Sequence, residues 1–183
     1  FKNWFTSSFN PIEKFKNSRF HQISTDEVYG SIDEGSFYEN SNYNPNSPYS
    51  ASKASADMLT RSFNQTYGLN TTISICSNNF GKNQNIEKFI PKIIHCLENN
   101  IEIPVYGNGL NIRDWIHVKD HCRAVHNIFS DAKSGELFNI SSGNEISNLE
   151  LIRKISDYLE LESKVKFIKD RDGHDFRYSL NSQ

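Results

Sequence analysis

Short β-branched or apolar runs alternate along this chain with longer stretches in which apolar positions recur at helical spacing. Residues 19–24 (RFHQIS) read as a short strand, and residues 71–77 (TTISICS), β-branched and mostly apolar, as a buried one. Between them, residues 30–47 are rich in Ser, Asn, Gly and Pro and form a loop. Ser47 and Pro48 supply an N-cap and a first helical residue, so a helix runs from Pro48 to about Tyr67 and stops at Gly68. Leu59 and Phe63, one turn apart, are assigned to its buried face. Residues 78–87 are polar and irregular. Residues 91–99 form a helix with Ile93, Ile94 and Leu97 inward, and residues 101–106 a strand turned by Gly107-Asn108-Gly109. A helix follows Asp120 on Ala124, Val125, Ile128 and Phe129, and residues 137–140 form another strand. Ser147 and Glu150 make a capping box for a helix through Leu159, and residues 165–168 are the last strand. The aromatic-rich opening, residues 1–15, is read as a helix with frayed ends.

This alternation predicts an α/β fold, with strand–helix–strand units of a parallel sheet up to about Ser77 and shorter mixed elements beyond it. A length of 183 residues is enough for one domain with a real core, or for part of a larger protein. The net charge of −2, without a long basic block, gives a nucleic-acid partner no electrostatic support. Apolar runs are too short to span a membrane. Three scattered cysteines, Cys76, Cys96 and Cys122, with no CxxC, argue against a disulfide framework and for a reducing compartment. The opening FKNWFTSSFN has no apolar core flanked by basic residues, so a cytoplasmic location is expected. Cys76 falls in an apolar strand and is assigned to the core. His117, His121 and His126 are spaced without a completing HExxH glutamate, and no metal site is expected.

The chemistry-bearing stretches are SPYSASK and ISTDEVYG. Tyr49 and Lys53 lie four apart and project from one helix face. A free phenol titrates near about 10, and a neighbouring ammonium stabilises the phenolate. Such a pair can take a proton from an alcohol as hydride leaves its carbon. Thr25, just beyond a strand, is placed to bond the same hydroxyl. Asp26 and Glu27 are adjacent acids, which alone suit a solvated turn. Strand alternation would point them to opposite faces, so they can share a substrate only if the strand has ended. No glycine-rich G-x-G-x-x-G turn of a dinucleotide pocket follows a strand.

STDEVYG, SPYSASKA, SNNFG, IPVYGNGLNIRDWIHVKDH and DRDGHDFRY occur in the order found in the dTDP-glucose 4,6-dehydratases, and from Arg19 onward the chain resembles that branch of the extended short-chain dehydrogenase/reductases. The resemblance implies a partial Rossmann-like, doubly wound parallel sheet with a smaller C-terminal substrate-binding domain. Residues 1–80, with parts of 111–140 returning to them, would be the C-terminal half of the NAD-binding domain. Residues 81–183 would be mainly the nucleotide-sugar-binding domain. It matches the middle and later parts of proteins roughly twice this length, so a fragment, inactive by itself, is expected.

The implied cofactor is NAD and the implied substrate dTDP-glucose, with a homodimer when full length. The implied catalytic residues are Thr25, which holds the C4 hydroxyl, Asp26 as acid, Glu27 as C5 base, Tyr49 as C4 base, and Lys53. Tyr49, Lys53 and Asn79 would meet the cofactor. Thr25, Asn78, Lys88, Tyr106, Arg113, Asn148, Arg171 and His174 would meet the substrate, the two arginines as guanidinium forks for its phosphates. The family commonly has Pro where this chain has Asp172, which adds negative charge near those phosphates. A related nucleotide-sugar epimerase or decarboxylase would keep the Tyr–Lys pair, but epimerases commonly lack the Asp–Glu pair. A non-catalytic binding remnant is the other alternative.

Overall fold

The computed structural model describes residues 17–183, so the helix expected over residues 1–15 lies outside the described residues. Strand β1 (Arg19–Thr25) runs into a single 3-10 turn (Asp26–Tyr29). A long loop leads to helix α1 (Pro48–Tyr67) and then β2 (Asn70–Cys76). α1 has the bounds its caps predict. Ser47 and Ser50 bond reciprocally at its start, and Gly68 takes the left-handed conformation at its end, φ 66°. β1 and β2 pair in parallel across this crossover, and β6 (Leu137–Ile140) adds to the far side of β2, also parallel. The register sets Thr25 opposite Cys76 and Cys76 opposite Ile140, so the three strands end level. In open parallel sheets that edge is where ligands bind.

Two smaller sheets complete the fold. β3 (Asn78–Phe80) runs parallel to β5 (Ile112–His117), and β7 (Glu145–Ser147) pairs antiparallel with β5. β4 (Ile103–Tyr106) pairs in parallel with β8 (Val165–Ile168). Helices α2 (Phe89–Glu98) and α4 (Asn148–Leu159) pack with β4 around Ile93, Leu97, Ile103 and Ile152. Helix α3 (Val118–Asp131) covers Cys76, Ile116 and Ile140 through Ile128. β3, β5 and β7 are absent from the sequence reading because each is short and carries polar residues; in β5, Arg113 and Asp114 are both buried.

Several expected inward faces are corrected. Leu59 is 60% exposed and Phe63 only half-buried; the face of α1 turned to the sheet is instead Ser50, Ala54, Asp57 and Thr60. Small residues there let the helix approach β1 closely enough for Lys53 and Asp57 to bond it. Phe129 is exposed on α3, and on α2 the buried thiol of Cys96 takes the place expected for Ile94, which is half-buried. Ser147 caps α4 by accepting from the Glu150 amide. Cys76 is buried as expected. Among the described residues, no helix is long and apolar enough to cross a membrane.

Candidate active site

Thr25 ends β1, and the 3-10 turn that follows removes the alternation that would separate Asp26 from Glu27. Gly30 closes the turn with φ 83°; a Cβ there would sit 2.5 Å from the Asn44 carbonyl oxygen, so only glycine fits. Asp26 is buried at 4% exposure and accepts a hydrogen bond from the Thr25 hydroxyl at 3.2 Å. Burial, reinforced by the Glu27 charge and opposed by Arg113, pushes its carboxyl up to about 7. Glu27 is half-buried. Burial raises it too, but Arg113, Arg171 and Lys88 draw it back toward the ionised form against a further push from Asp175. Both carboxyls are thus raised, Asp26 to about 7, and Glu27 differs in facing three cations, Arg113, Arg171 and Lys88, that favour its charged form.

Tyr49 and Lys53 open α1 beside this turn. The Lys53 ammonium donates to the Ile23 carbonyl at 2.7 Å, two residues before Thr25. Partial burial raises the Tyr49 phenol above its usual value, and the nearby Glu27, Cys76 and Asp26 raise it further. The expected depression by the ammonium does not appear: burial and the acids act on the phenol, and Lys53 is engaged with the strand. The same interaction shows that both carboxylates lie within electrostatic reach of the phenol.

The C-terminal segment brings the second half of the site. Phe37 and Leu180 bridge, and the amide of Ile112 bonds the Phe176 carbonyl, tying this segment to the loop after the turn and to β5. Arg113 is buried. Its guanidinium donates to the carbonyls of Ile112, Asp175 and Phe176 at 2.7, 2.8 and 3.0 Å and sits 4.3 Å over the Tyr178 ring. It is less an open fork than a fixed cation beside Asp26 and Glu27. Arg171, Tyr106 and His174 form one cluster: the Arg171 guanidinium lies 4.7 Å over the Tyr106 ring and 3.2 Å from His174 Nε2. His174 Nδ1 is 2.6 Å from Asp170. Lys88 caps α2, within reach of Glu27. Asn148 begins α4, and its amide bonds the carbonyl of Asn111, whose side chain reaches His174 at 3.4 Å. It joins the cluster only through that neighbour. Asp172 is exposed beside Arg171.

Asn78 and Asn79 follow the level end of β2. Ser77 Oγ, Asn78 Oδ1 and Asn79 Oδ1 are all buried without a partner. Orphaned acceptors there suit ligand donors: Ser77 and Asn79, with Tyr49 and Lys53, fit the amide and hydroxyls of a nicotinamide riboside, and Asn78 is left for the sugar expected beside it. Among the described residues, no cluster of three or more His, Cys, Asp or Glu side chains could hold a metal ion. His117 is the N-cap of α3, accepting from the Lys119 amide, and His121 is buried on that helix.

Two buried acids beside the site, Asp175 and Asp57, are not among the sequence candidates. Asp175 accepts from Asn46 at 2.6 Å and from the Tyr178 hydroxyl at 2.8 Å. It lies inside DRDGHDFRY, where Arg171, Asp172 and His174 are the residues the sequence singles out. Asp57 sits one turn beyond Lys53 on the same helix face, a spacing that could have singled it out.

Known proteins align with this arrangement. A dTDP-glucose 4,6-dehydratase of Actinoplanes is 46% identical over 164 residues, 89% of this chain and 51% of that protein. The low-salt glycan biosynthesis protein Agl12 of Haloferax volcanii is 47% identical over 165 residues, 90% of this chain and 53% of that protein. The chain thus spans about half the length of the curated relatives it matches. Among solved structures, DesIV, a dTDP-glucose 4,6-dehydratase from Streptomyces venezuelae crystallised with NAD, superposes with a TM-score of 0.89 at 42% identity, over 94% of this chain and 55% of that one. The UDP-glucuronic acid 4-epimerase of Bacillus cereus, at 21% identity and a TM-score of 0.88, shares the fold. The sequence model of the GDP-mannose 4,6 dehydratase family matches residues 8–181, nearly the whole chain, and the chain belongs to that family.

Proposed function

We propose that this chain carries the acid–base machinery of a nucleotide-sugar 4,6-dehydratase that converts dTDP-glucose to dTDP-4-keto-6-deoxyglucose. The single observation that carries the reading is the turn after β1. It places a buried, proton-holding Asp26 next to a cation-held Glu27, both within electrostatic reach of Tyr49. Elimination of water needs an acid and a base together, and one neutral and one ionised carboxyl supply them. A C4 epimerase, which only removes and returns hydride at C4, needs no such pair.

Thr25 holds the C4 hydroxyl while Tyr49 takes its proton. NAD, when bound, supplies the hydride acceptor for C4 and the hydride donor for C6. With C4 a ketone, the C5 proton is acidic because the resulting carbanion delocalises as an enolate. Glu27 removes that proton, Asp26 delivers its own to the departing C6 hydroxyl, which leaves as water, and Glu27 returns a proton to C5 when C6 has taken hydride. Lys53 and the acceptors of Ser77 and Asn79 would hold the nicotinamide riboside, and Asn78 would meet the sugar. The arginine–tyrosine–histidine cluster of Arg171, Tyr106 and His174, with Lys88, grips the nucleotide diphosphate, while the buried Arg113 stands beside the two acids as a fixed cation. In this reading the β1–β2–β6 sheet belongs to the cofactor domain, residues 81–183 belong mainly to the sugar-nucleotide domain, and the working unit is a homodimer.

The test is incubation of the complete gene product with dTDP-glucose and NAD, followed by NMR of the sugar. Appearance of the 4-keto-6-deoxy product supports the assignment. A C4 epimer in its place, or unchanged dTDP-glucose from protein that binds both ligands, refutes it. Light scattering at twice the single-chain mass supports the dimer, and single-chain mass refutes it.

A further inference from the structure

Asp57 is completely buried in the face of α1 that meets β1, and the mechanism above does not use it. One carboxylate oxygen accepts from the Ser24 hydroxyl and from the Tyr43 hydroxyl at 3.2 Å. Ser24 is the residue immediately before Thr25. The Tyr43 ring meets Tyr29 edge-on, with centroids 5.4 Å apart, and Tyr29 is the last residue of the Asp26–Tyr29 turn. Tyr29 is held in its turn by stacking on Phe37 at 5.0 Å and by its hydroxyl on Asn139 at 3.1 Å. One buried acid thus reaches both ends of the segment that presents Thr25, Asp26 and Glu27. A turn earlier on the same helix, Lys53 bonds the Ile23 carbonyl. Two successive residues of β1 are therefore fastened to two successive turns of α1.

We infer that Asp57 is a positioning residue: through Ser24 and Tyr43 it fixes the strand end and the turn that aim Thr25, Asp26 and Glu27 at Tyr49. The inference rests on the dehydratase reading of those four residues. Burying a carboxylate in a helix–sheet contact is costly, and an apolar side chain of similar size would pack there more favourably. The acid is explained by what it orients. Proton transfer in the elimination depends on alignment, and displacement of the reacting groups by about 1 Å lowers the rate by about 100-fold. Substrate grip comes from Arg171, Tyr106 and His174, which Asp57 does not touch. A positioning role therefore shows in kcat and leaves KM in place.

The experiment compares Asp57→Ala, Asp57→Asn, Ser24→Ala and the double variant Ser24→Ala/Asp57→Ala in the complete gene product. Asp57→Ala is expected to lower kcat by about 10- to 100-fold with KM for dTDP-glucose changed less than about twofold. Asp57→Asn keeps an acceptor for both hydroxyls and should recover most of the loss. Ser24→Ala should show the same kcat-only defect, and the double variant should lose no more than Asp57→Ala alone, because the two residues act as one link. If Asp57→Ala does not fold, Ser24→Ala and Tyr43→Phe, which keeps the ring against Tyr29, must show the kcat-only defect. Unchanged kcat, losses that add in the double variant, or a defect confined to KM overturns the inference. Tyr49→Phe separates the two levels. Full turnover by it overturns the dehydratase reading itself, whereas its inactivity beside an unimpaired Asp57→Ala overturns only the positioning role.

Discussion

The burial of Asp26 makes a quantitative prediction about stability as well as catalysis. Its carboxyl stands at about 7 in the folded chain against an ordinary 3.8. A raised carboxyl stabilises the fold where it is protonated in both states, below the unfolded value, and that contribution is lost as pH rises through the folded value. At about 1.4 kcal/mol per pH unit, the full contribution is about 4 kcal/mol, and about 2.6 kcal/mol of it disappears between pH 5 and pH 8. Asp26→Asn mimics the protonated form in shape and cannot ionise, so it should be immune to this loss. Urea unfolding is the assay. With a slope of about 2 kcal/mol per molar, the midpoint of Asp26→Asn should exceed that of the parent by about 1.3 M more at pH 8 than at pH 5. The same ionisation removes the proton needed at the C6 hydroxyl, so elimination should decline as pH rises through about 7. Parallel midpoint-versus-pH curves for the two proteins would refute the claim that Asp26 holds a proton near neutrality.

Glu27→Gln should leave C4 oxidation intact but slow water loss by about 100-fold or more. The absorbance of reduced nicotinamide then builds up without 4-keto-6-deoxy sugar, and normal product formation would rule out Glu27 as the C5 base. Arg113→Met removes the cation that lowers both carboxyls, so the pH at which Glu27 becomes an effective base should move upward; the ascending limb of the kcat profile reports it, and an unmoved limb contradicts the electrostatic argument. Lys53→Ala removes the bond that fastens Ile23 of β1 to α1 beside Tyr49, so C4 oxidation should slow by about 10-fold or more, and an unchanged rate of nicotinamide reduction counts against the pair.

Local chemistry made α1 readable to the residue: Ser47 and Ser50 close its start and Gly68 its end, and both signals act within four residues of the backbone they satisfy. The buried face of the same helix was not readable. Leu59 and Phe63 have the spacing of a core pair, but the sheet meets Ser50, Ala54 and Asp57, because polar side chains must reach β1 there. The types of the site residues, Tyr49, Lys53, Asp26 and Glu27, stand in the sequence, while the states of the two acids do not. Those states depend on Arg113, more than eighty residues away, and on Asp175, which arrives on a C-terminal segment pinned to β5.

The two adjacent acids are of similar chemistry and share a cation in Arg113, so neither residue type nor that contact separates their roles. Exposure and the remaining charges separate them. Asp26 is almost fully enclosed and feels the Glu27 charge, whereas Glu27 is half-buried and has Arg171 and Lys88 as further cations. Extending β1 by two residues, through Glu27, would put the two side chains on opposite faces of the sheet and dissolve the asymmetry. The bonds from Lys53 and Asp57 hold the strand at Ile23 and Ser24, the last two positions before that ending. Helix α1 therefore does two jobs with one face: it carries the phenol, and it fixes the point at which the strand gives way to the acid–base turn.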